Sequence, residues 1–169
     1  MLRLPTPRVA NATGAIACAL FIGYALYAQY GLGLDPCPLC TFQRIAFIAL
    51  GVVFLVAAIH NPKSYGARVY AIVLVIVALL GIAIAAKHLW IQAQPPGSVG
   101  ACGASLSYLL DIMSVFEVIK KVLTGSGECQ HVDLFLGLSW PWWTVIAMTG
   151  LGVWGVATNW VRSNRNALR

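Results

Sequence analysis

Four long apolar runs, separated by shorter polar or charged segments, dominate the hydrophobic pattern of this chain. A helix that crosses a membrane needs about 20 mostly apolar residues. The uncharged runs extend from Val9 to Leu34, from Ile45 to Ile59, from Val69 to Ala86 and from Leu134 to Val161. The pattern therefore predicts four transmembrane helices.

Two of these runs are too short to cross a bilayer without help. A hydrocarbon core of about 30 Å, at 1.5 Å per residue, requires the second span to begin before Arg44 and the third to continue through Lys87 and His88. Pro141 suits the first turn of a helix, so we expect the fourth helix to begin near Trp142. The predicted spans are residues 12–31, 41–59, 69–90 and 142–161, and the outer loops are residues 32–40 and 91–141.

The long outer loop contains a second helical pattern. From Ser105 to Leu123, apolar residues recur at helical spacing with polar residues between them, which indicates an amphipathic helix too short and too polar to span. It is expected to lie on the membrane surface or to pack against the bundle. The predicted fold is thus an all-α membrane protein: a bundle of four transmembrane helices with a long periplasmic loop that carries a short amphipathic interfacial helix.

Composition and charge agree with a single integral-membrane domain. Of the 169 residues, 60% are hydrophobic and only 9% are charged, whereas ordinary soluble domains are roughly one-quarter charged. Basic residues flank both chain ends and the connection between the second and third spans, and all five acidic residues lie on the other side. The positive-inside rule therefore places both termini in the cytoplasm. Topology explains the net charge of +6, and no nucleic-acid partner is inferred.

The N-terminal run is expected to be the first helix. A cleaved signal peptide has an apolar core of about 7 to 15 residues, and the run from Val9 to Leu34 is longer.

The topology sorts the five cysteines. Cys18 lies within the first span, and the other four face outward: Cys37, Cys40, Cys102 and Cys129. Structural disulfides, a four-cysteine zinc site and redox catalysis are the three interpretations. Zinc is disfavoured because only one half of the set is a CxxC, so no metal is predicted. Structural disulfides are disfavoured because a CxxC bridge closes a very small loop and stabilises little.

Redox chemistry makes direct use of a CxxC pair at a helix N-terminus. Amide donors and the helix dipole stabilise a thiolate there, and the thiolate is the species that exchanges. Cys40 is expected at this position in the second helix. Arg44 follows four residues later, on the same helix face, and His88 lies at matching depth on the third helix. Intramembrane ionisable residues indicate function, although Arg44 could also snorkel to the headgroups and His88 could serve packing.

Four tryptophans lie near the outer interface. An aromatic belt is the favoured interpretation, and a quinone platform is the alternative. They are Trp90, Trp140, Trp142 and Trp143.

Several short sequence motifs give the chain a family resemblance over essentially its whole length. "CPLCTFQR" opens the second helix, and "CGAS", "GSGEC" and "FLGLSWP" follow before the fourth. In this order they resemble the bacterial disulfide bond formation protein B (DsbB) family. One departure is Gln43, where some members would be expected to carry an acidic residue.

The resemblance implies a thiol:quinone oxidoreductase of the bacterial inner membrane that reoxidises a periplasmic, DsbA-like, thioredoxin-fold oxidase. A partner thiolate would attack Cys102 of a Cys102–Cys129 disulfide, and Cys129 would then attack Cys37 and free Cys40. Electrons would pass to a ubiquinone or menaquinone held near Arg44, with His88 as a further contributor.

Two alternatives remain open at this point. One is a vitamin K epoxide reductase-like protein, in which the quinone-facing CxxC comes late in the chain; here it comes first. The other is a non-enzymatic scaffold with structural disulfides.

Overall fold

The computed structural model of the protein is a bundle of long helices with a small hairpin beside its last helix. It describes residues 6–34, 36–62, 65–95, 111–114, 116–118, 120, 129, 132 and 134–161. The elements, in chain order, are α1 (Pro7–Leu32), α2 (Pro38–His60), α3 (Tyr65–Gln92), β1 (Leu134–Phe135), β2 (Leu138–Ser139), α4 (Trp140–Val156) and a π-helical turn (Ala157–Val161).

The second helix begins three residues earlier than expected, at Pro38 rather than at residue 41. Cys37, not Cys40, is its N-cap, and the Cys37 side chain accepts a hydrogen bond from the Cys40 backbone N–H. Pro38 occupies the first turn, where its fixed φ and missing N–H are tolerated best. The helix ends at His60, and the C-cap residue Asn61 adopts a left-handed conformation with φ 46°.

The fourth helix also begins early and is preceded by a hairpin. Strands β1 and β2 pair antiparallel, and the two turn residues, Leu136 and Gly137, have φ values of 52° and 82°. Positive φ at both turn positions matches the twist of a two-residue hairpin. Helix α4 then begins at Trp140 rather than near Trp142, with Pro141 in its first turn. The hairpin is a small departure from the expected all-α fold.

Helices α1 to α4 pack mainly in chain order. Helix α1 contacts α2, α2 contacts α3 and α3 contacts α4, whereas α1 contacts α4 much less extensively. The central core lies among all four helices; its fully buried members include Leu50, Phe54, Leu74 and Met148. The arrangement leaves room between α1 and α4 on one side of the bundle.

A pair of buried amides joins the start of α1 to the π-helical turn that follows α4. Asn11 and Asn159 each donate a side-chain hydrogen bond to the other, at 3.0 and 2.9 Å. Trp154 adds a bond from its indole nitrogen to the Ala10 carbonyl. Because no water competes for these groups in an apolar interior, satisfied pairs of this kind fix the helix ends.

Helices α1, α2 and α3 are each long and apolar enough to cross a membrane. Helix α4 has 17 residues before its π-helical turn. This is a membrane protein, and the fourth crossing stays a prediction. Most of the amphipathic helix predicted from Ser105 to Leu123 lies outside the described residues; within it, Val118 is buried against Leu39 and Ile91.

Helix α1 offers a matched test of packing between α1 and α2. A methyl group at Gly14 would lie 2.8 Å from the ring of Phe54, which is fully buried, whereas a methyl group at Gly23 would meet nothing within 4 Å. We expect Gly14→Ala to lower the free energy of unfolding by about 1 to 3 kcal/mol through overpacking. Gly23→Ala should leave it unchanged or slightly higher, since alanine is the better helix former. Thermal unfolding in detergent measures both; equal transitions would contradict the described packing.

Candidate functional site

The Cys37 and Cys40 thiols form the centre of the candidate site. Their Sγ atoms lie 3.0 Å apart at the first turn of α2. Both side chains are half-buried. Because Cys37 accepts the Cys40 backbone N–H at 3.3 Å, its sulfur sits where the free amide groups of the helix favour negative charge. The structure thus gives the capping position to Cys37, and places Cys40 three residues into the helix.

His88 and Cys129 lie on one side of this pair. His88 Nε2 is 3.8 Å from Cys37 Sγ, and His88 Nδ1 is 4.0 Å from Cys40 Sγ. Cys129 Sγ, Cys37 Sγ and a ring nitrogen of His88 all lie within 4.8 Å of one another. Both His88 and Cys129 are buried. Cys102, the fourth outward cysteine, lies outside the described residues.

Gln43 connects three helices beneath the thiols. The Gln43 side chain is buried, with its nitrogen 3.1 Å from His88 Nδ1 on α3. Its oxygen accepts a bond from the Thr144 hydroxyl on α4 at 2.8 Å. A buried polar group must find such partners because burial without them costs about 1 to 3 kcal/mol. The result is a continuous chain of contacts from Thr144 through Gln43 to His88.

Arg44 faces the other side of α2 and is held by α1. Its guanidinium donates to the Gln29 side-chain oxygen and, at 3.0 Å, to the Ala25 carbonyl oxygen. Both partners belong to α1, so the guanidinium is held between two helices of the bundle. Fixed in this way, the guanidinium is a permanent positive charge with donors to spare.

A largely apolar cavity of about 600 Å³ opens beside Arg44. It is bounded by α1, α2, the start of α4 and the hairpin, and Cys40, Gln43 and Arg44 supply polar atoms to its wall. Three further rings line it as a cluster: the rings of Phe135 and Trp140 stack at 5.3 Å, and Tyr24 lies 5.5 Å from Phe135. His88 is not among the residues that line this cavity.

The cavity and the thiol cluster could each hold a group. A flat ring with carbonyl oxygens fits the cavity, because aromatic side chains flank the ring position and a guanidinium can donate to an oxygen. The sulfur and nitrogen donors on the other side of Cys37 are the ligands of soft and borderline metals.

Comparison with known proteins assigns the chain to a family. The model of the disulfide bond formation protein DsbB family matches residues 7–158. The chain belongs to the DsbB family. Among curated relatives, disulfide bond formation protein B of Xanthomonas oryzae pv. oryzae (strain MAFF 311018) is 46% identical over 157 residues, which cover 92% of this chain and 91% of the relative. The protein of the same name from Hahella chejuensis is 48% identical, with coverages of 89% and 91%.

Membership of the DsbB family confirms the resemblance inferred from the cysteine motifs, and makes this chain a redox protein of disulfide bond formation. The predicted site residues within the described parts lie close together: Cys37, Cys129 and His88 on one side, Arg44 on the other, and Cys40 between His88 and the cavity beside Arg44. Sequence reasoning missed Gln29, Thr144 and the Phe135 ring. Gln29 and Thr144 lie in none of the quoted motifs, and Phe135 opens "FLGLSWP", in which nothing distinguishes its ring from the other apolar residues.

Gln43, a departure from an acidic residue in the sequence, is the centre of the buried hydrogen-bond chain. Trp140 and Trp143 line the cavity, and Trp90 and Trp142 are about half exposed. The aromatic belt stays a prediction.

We expect Gln43→Leu to destabilise the bundle, because it removes the 2.8 Å bond to the Thr144 hydroxyl and the 3.1 Å contact with His88 Nδ1, and the contacts that these two groups keep are longer. The expected loss in the free energy of unfolding is about 1 to 3 kcal/mol. Gln94→Leu is the matched control, since among the described residues the Gln94 side chain makes only an exposed 3.4 Å contact with the Trp90 carbonyl, and it should shift the value by no more than about 0.5 kcal/mol. Thermal unfolding in detergent measures both variants. Equal stability of Gln43→Leu and the unsubstituted protein would mean that the buried contacts do not form.

Proposed function

We propose that this protein reoxidises a soluble, DsbA-like, thioredoxin-fold dithiol oxidase and passes the electrons through two cysteine pairs to a membrane quinone. The reaction class is thiol:quinone oxidoreduction. The result is a sustained supply of oxidised partner for disulfide formation in other proteins.

The observation that carries this proposal is the placement of the Cys37–Cys40 pair between two different surroundings. On one side Cys129 approaches Cys37, within 4.8 Å between sulfurs. On the other side Cys40 opens on the cavity beside Arg44. A pair of thiols in this position can receive electrons from a second cysteine pair and release them toward the cavity.

The thiol steps balance in bonds and charges. A thiolate of the reduced partner attacks Cys102, so that a mixed disulfide forms and the Cys102–Cys129 bond breaks. Cys129 leaves as a thiolate and attacks Cys37 Sγ. A Cys129–Cys37 bond forms, the Cys37–Cys40 bond breaks, and the electron pair stays on Cys40. The second thiolate of the partner then attacks the mixed disulfide, which releases the oxidised partner and a Cys102 thiolate. Cys102 attacks Cys129, so that the Cys102–Cys129 bond forms again and Cys37 leaves as a thiolate. The free amide groups in the first turn of α2 lower the cost of that negative charge.

The residues around the cavity fit a quinone. When bound, a quinone supplies an acceptor for two electrons and two protons. Arg44 would donate hydrogen bonds to an oxygen of the ring system, and Tyr24, Phe135 and Trp140 would enclose the ring. Because the guanidinium stays charged at every relevant pH, it also offsets the Cys40 thiolate, which would otherwise be costly at the edge of a low-dielectric region. Ubiquinone and menaquinone both suit this site.

We place the protein in the bacterial inner membrane with four crossings, both termini in the cytoplasm and the cysteine loops in the periplasm. The distribution of basic and acidic residues supports this orientation. An oxidising compartment also suits a relay that begins from a disulfide.

The two alternatives receive less support. A vitamin K epoxide reductase-like protein would belong to another family, and the DsbB family model matches most of this chain. A scaffold with structural disulfides does not explain why an apolar cavity with an inward guanidinium lies beside Cys40.

The relay between the two cysteine pairs is tested with Cys129→Ser. Without the Cys129 sulfur, electrons that arrive at Cys102 have no route to Cys37, so catalytic reoxidation of reduced partner should stop. Cys18→Ser is the control, because Cys18 is buried in the core between α1 and α2, and it should keep normal turnover. Thiol oxidation of the partner, followed in detergent with excess quinone, is the measurement. Normal turnover by Cys129→Ser would rule out the two-pair relay.

The role of Arg44 is tested with Arg44→Ala and Arg44→Lys. We expect the apparent affinity for quinone to fall at least about tenfold in Arg44→Ala, which corresponds to about 1.4 kcal/mol for one lost charge-assisted contact. Arg44→Lys should recover only part of the loss, because an ammonium lacks the planar donor set. Initial rates of quinone reduction against quinone concentration, with reduced partner in excess, provide the value. An unchanged quinone dependence in Arg44→Ala would reduce Arg44 to a packing role.

A further inference from the structure

The side of the thiol pair that faces away from the cavity carries a second chemical feature. Cys37 Sγ, Cys129 Sγ and a ring nitrogen of His88 lie within 4.8 Å of one another. Cys40 Sγ is a further donor, 3.0 Å from Cys37 Sγ. When all three cysteines are reduced, this cluster holds two thiols and one imidazole within 4.8 Å, with the Cys40 thiol beside Cys37.

We propose that the reduced protein binds one zinc ion at this cluster, through Cys37, Cys129 and His88, with Cys40 as the fourth ligand. Three thiolates and one imidazole form a tetrahedral set that structural zinc sites use. Zinc–sulfur bonds of about 2.3 Å and zinc–nitrogen bonds of about 2.0 Å place neighbouring ligand atoms between three and four ångströms apart in a tetrahedron. The 3.8 Å from Cys37 Sγ to His88 Nε2 already matches this geometry.

The surroundings of His88 suit a metal ligand. A histidine ligand presents one ring nitrogen to the metal while a second polar group holds the other nitrogen. His88 Nδ1 has such a group in the Gln43 side-chain amide, at 3.1 Å. Rotation of the Gln43 amide group by 180° exchanges its oxygen and nitrogen. The oxygen then accepts a proton from His88 Nδ1, and the nitrogen donates to the Thr144 hydroxyl. In this tautomer His88 Nε2 carries no proton and can bind the metal.

The burial of the cluster favours retention of a metal once it is bound. Cys129 and His88 are 1% and 3% exposed, and Leu39, Ile91 and Val118 pack around Cys129. Each thiol that binds as a thiolate releases its proton to solvent. No electrons move, so the site depends only on the redox state of the cysteines: a disulfide at Cys37 removes it.

Zinc binding at this cluster would make one redox state of the proposed relay sensitive to the metal. In the relay, Cys37, Cys40 and Cys129 are reduced together only when electrons enter faster than they leave toward the cavity. Zinc would capture that state and hold the exchanging sulfurs, so turnover would stop until the metal is removed. Binding itself rests on the cluster, and only the inhibition rests on the proposed function.

Metal binding is tested on the full chain in detergent, reduced and then freed of reductant without oxygen. Cobalt(II) should give the visible bands of tetrahedral coordination with thiolate-to-cobalt charge transfer, and one equivalent of zinc should abolish them. The oxidised protein should give neither band. His88→Gln and Cys129→Ser should weaken zinc binding at least about tenfold in competition with a chromophoric chelator, and Cys18→Ser should match the unsubstituted protein.

The outcomes separate cleanly. Absence of the charge-transfer band in the reduced protein, or equal zinc affinity in a folded His88→Gln variant, would overturn the zinc site. The thermal transition of each variant shows whether it is folded, and His88→Gln keeps a polar side chain so that the test does not depend on Cys129→Ser alone.

Inhibition is then measured by incubating the reduced or the oxidised protein with zinc before turnover. Equal inhibition of both forms would overturn the redox-dependent capture, whereas a lack of turnover without zinc would count against the proposed function and leave the binding result standing.

Discussion

The buried amide of Gln43 is the contact on which the geometry of the site depends. It joins α2 to Thr144 on α4 and to His88 on α3, so one side chain fixes three helices directly below the thiols. In an apolar interior these groups have no water as an alternative partner. A shift of one helix relative to the others would therefore break a buried hydrogen bond. This constraint also holds the two thiols, which lie on α2, in a fixed position.

The charge of Arg44 imposes a second constraint, on the other face of α2. An unpaired guanidinium at this depth would be costly, and α1 supplies the Gln29 side chain and the Ala25 carbonyl. Because α1 is engaged with α2 in this way and contacts α4 much less, the cavity lies between α1 and α4. The same contacts thus neutralise the cost of the charge and leave space beside it.

The sequence predicts the elements of this arrangement better than their junctions. Apolar runs and the spacing of basic residues are enough for the long helices, and the helical repeat places Cys40 and Arg44 on one face. The first residue of a helix is predicted less well. Because Pro38 is favoured in a first helical turn, α2 begins there and Cys37 is its N-cap. Contacts between distant positions have no local signal. Thr144 and Gln43 are 101 residues apart, and only the packing of α2 against α4 brings them together.

The two faces of α2 bring different groups to the thiol pair. On the face toward α3, Cys129 lies beside Cys37, and His88 lies within 4.0 Å of both thiols. In the proposed relay, a Cys129 thiolate would attack Cys37 on this face. On the face toward α1, Cys40 meets an apolar cavity with one fixed cation. Cys37 and Cys40 are only one helical turn apart, so a bond between them connects the two sides without an open passage. In the proposed relay, electrons cross the helix through that bond, and the reactants on one face never need to reach the other.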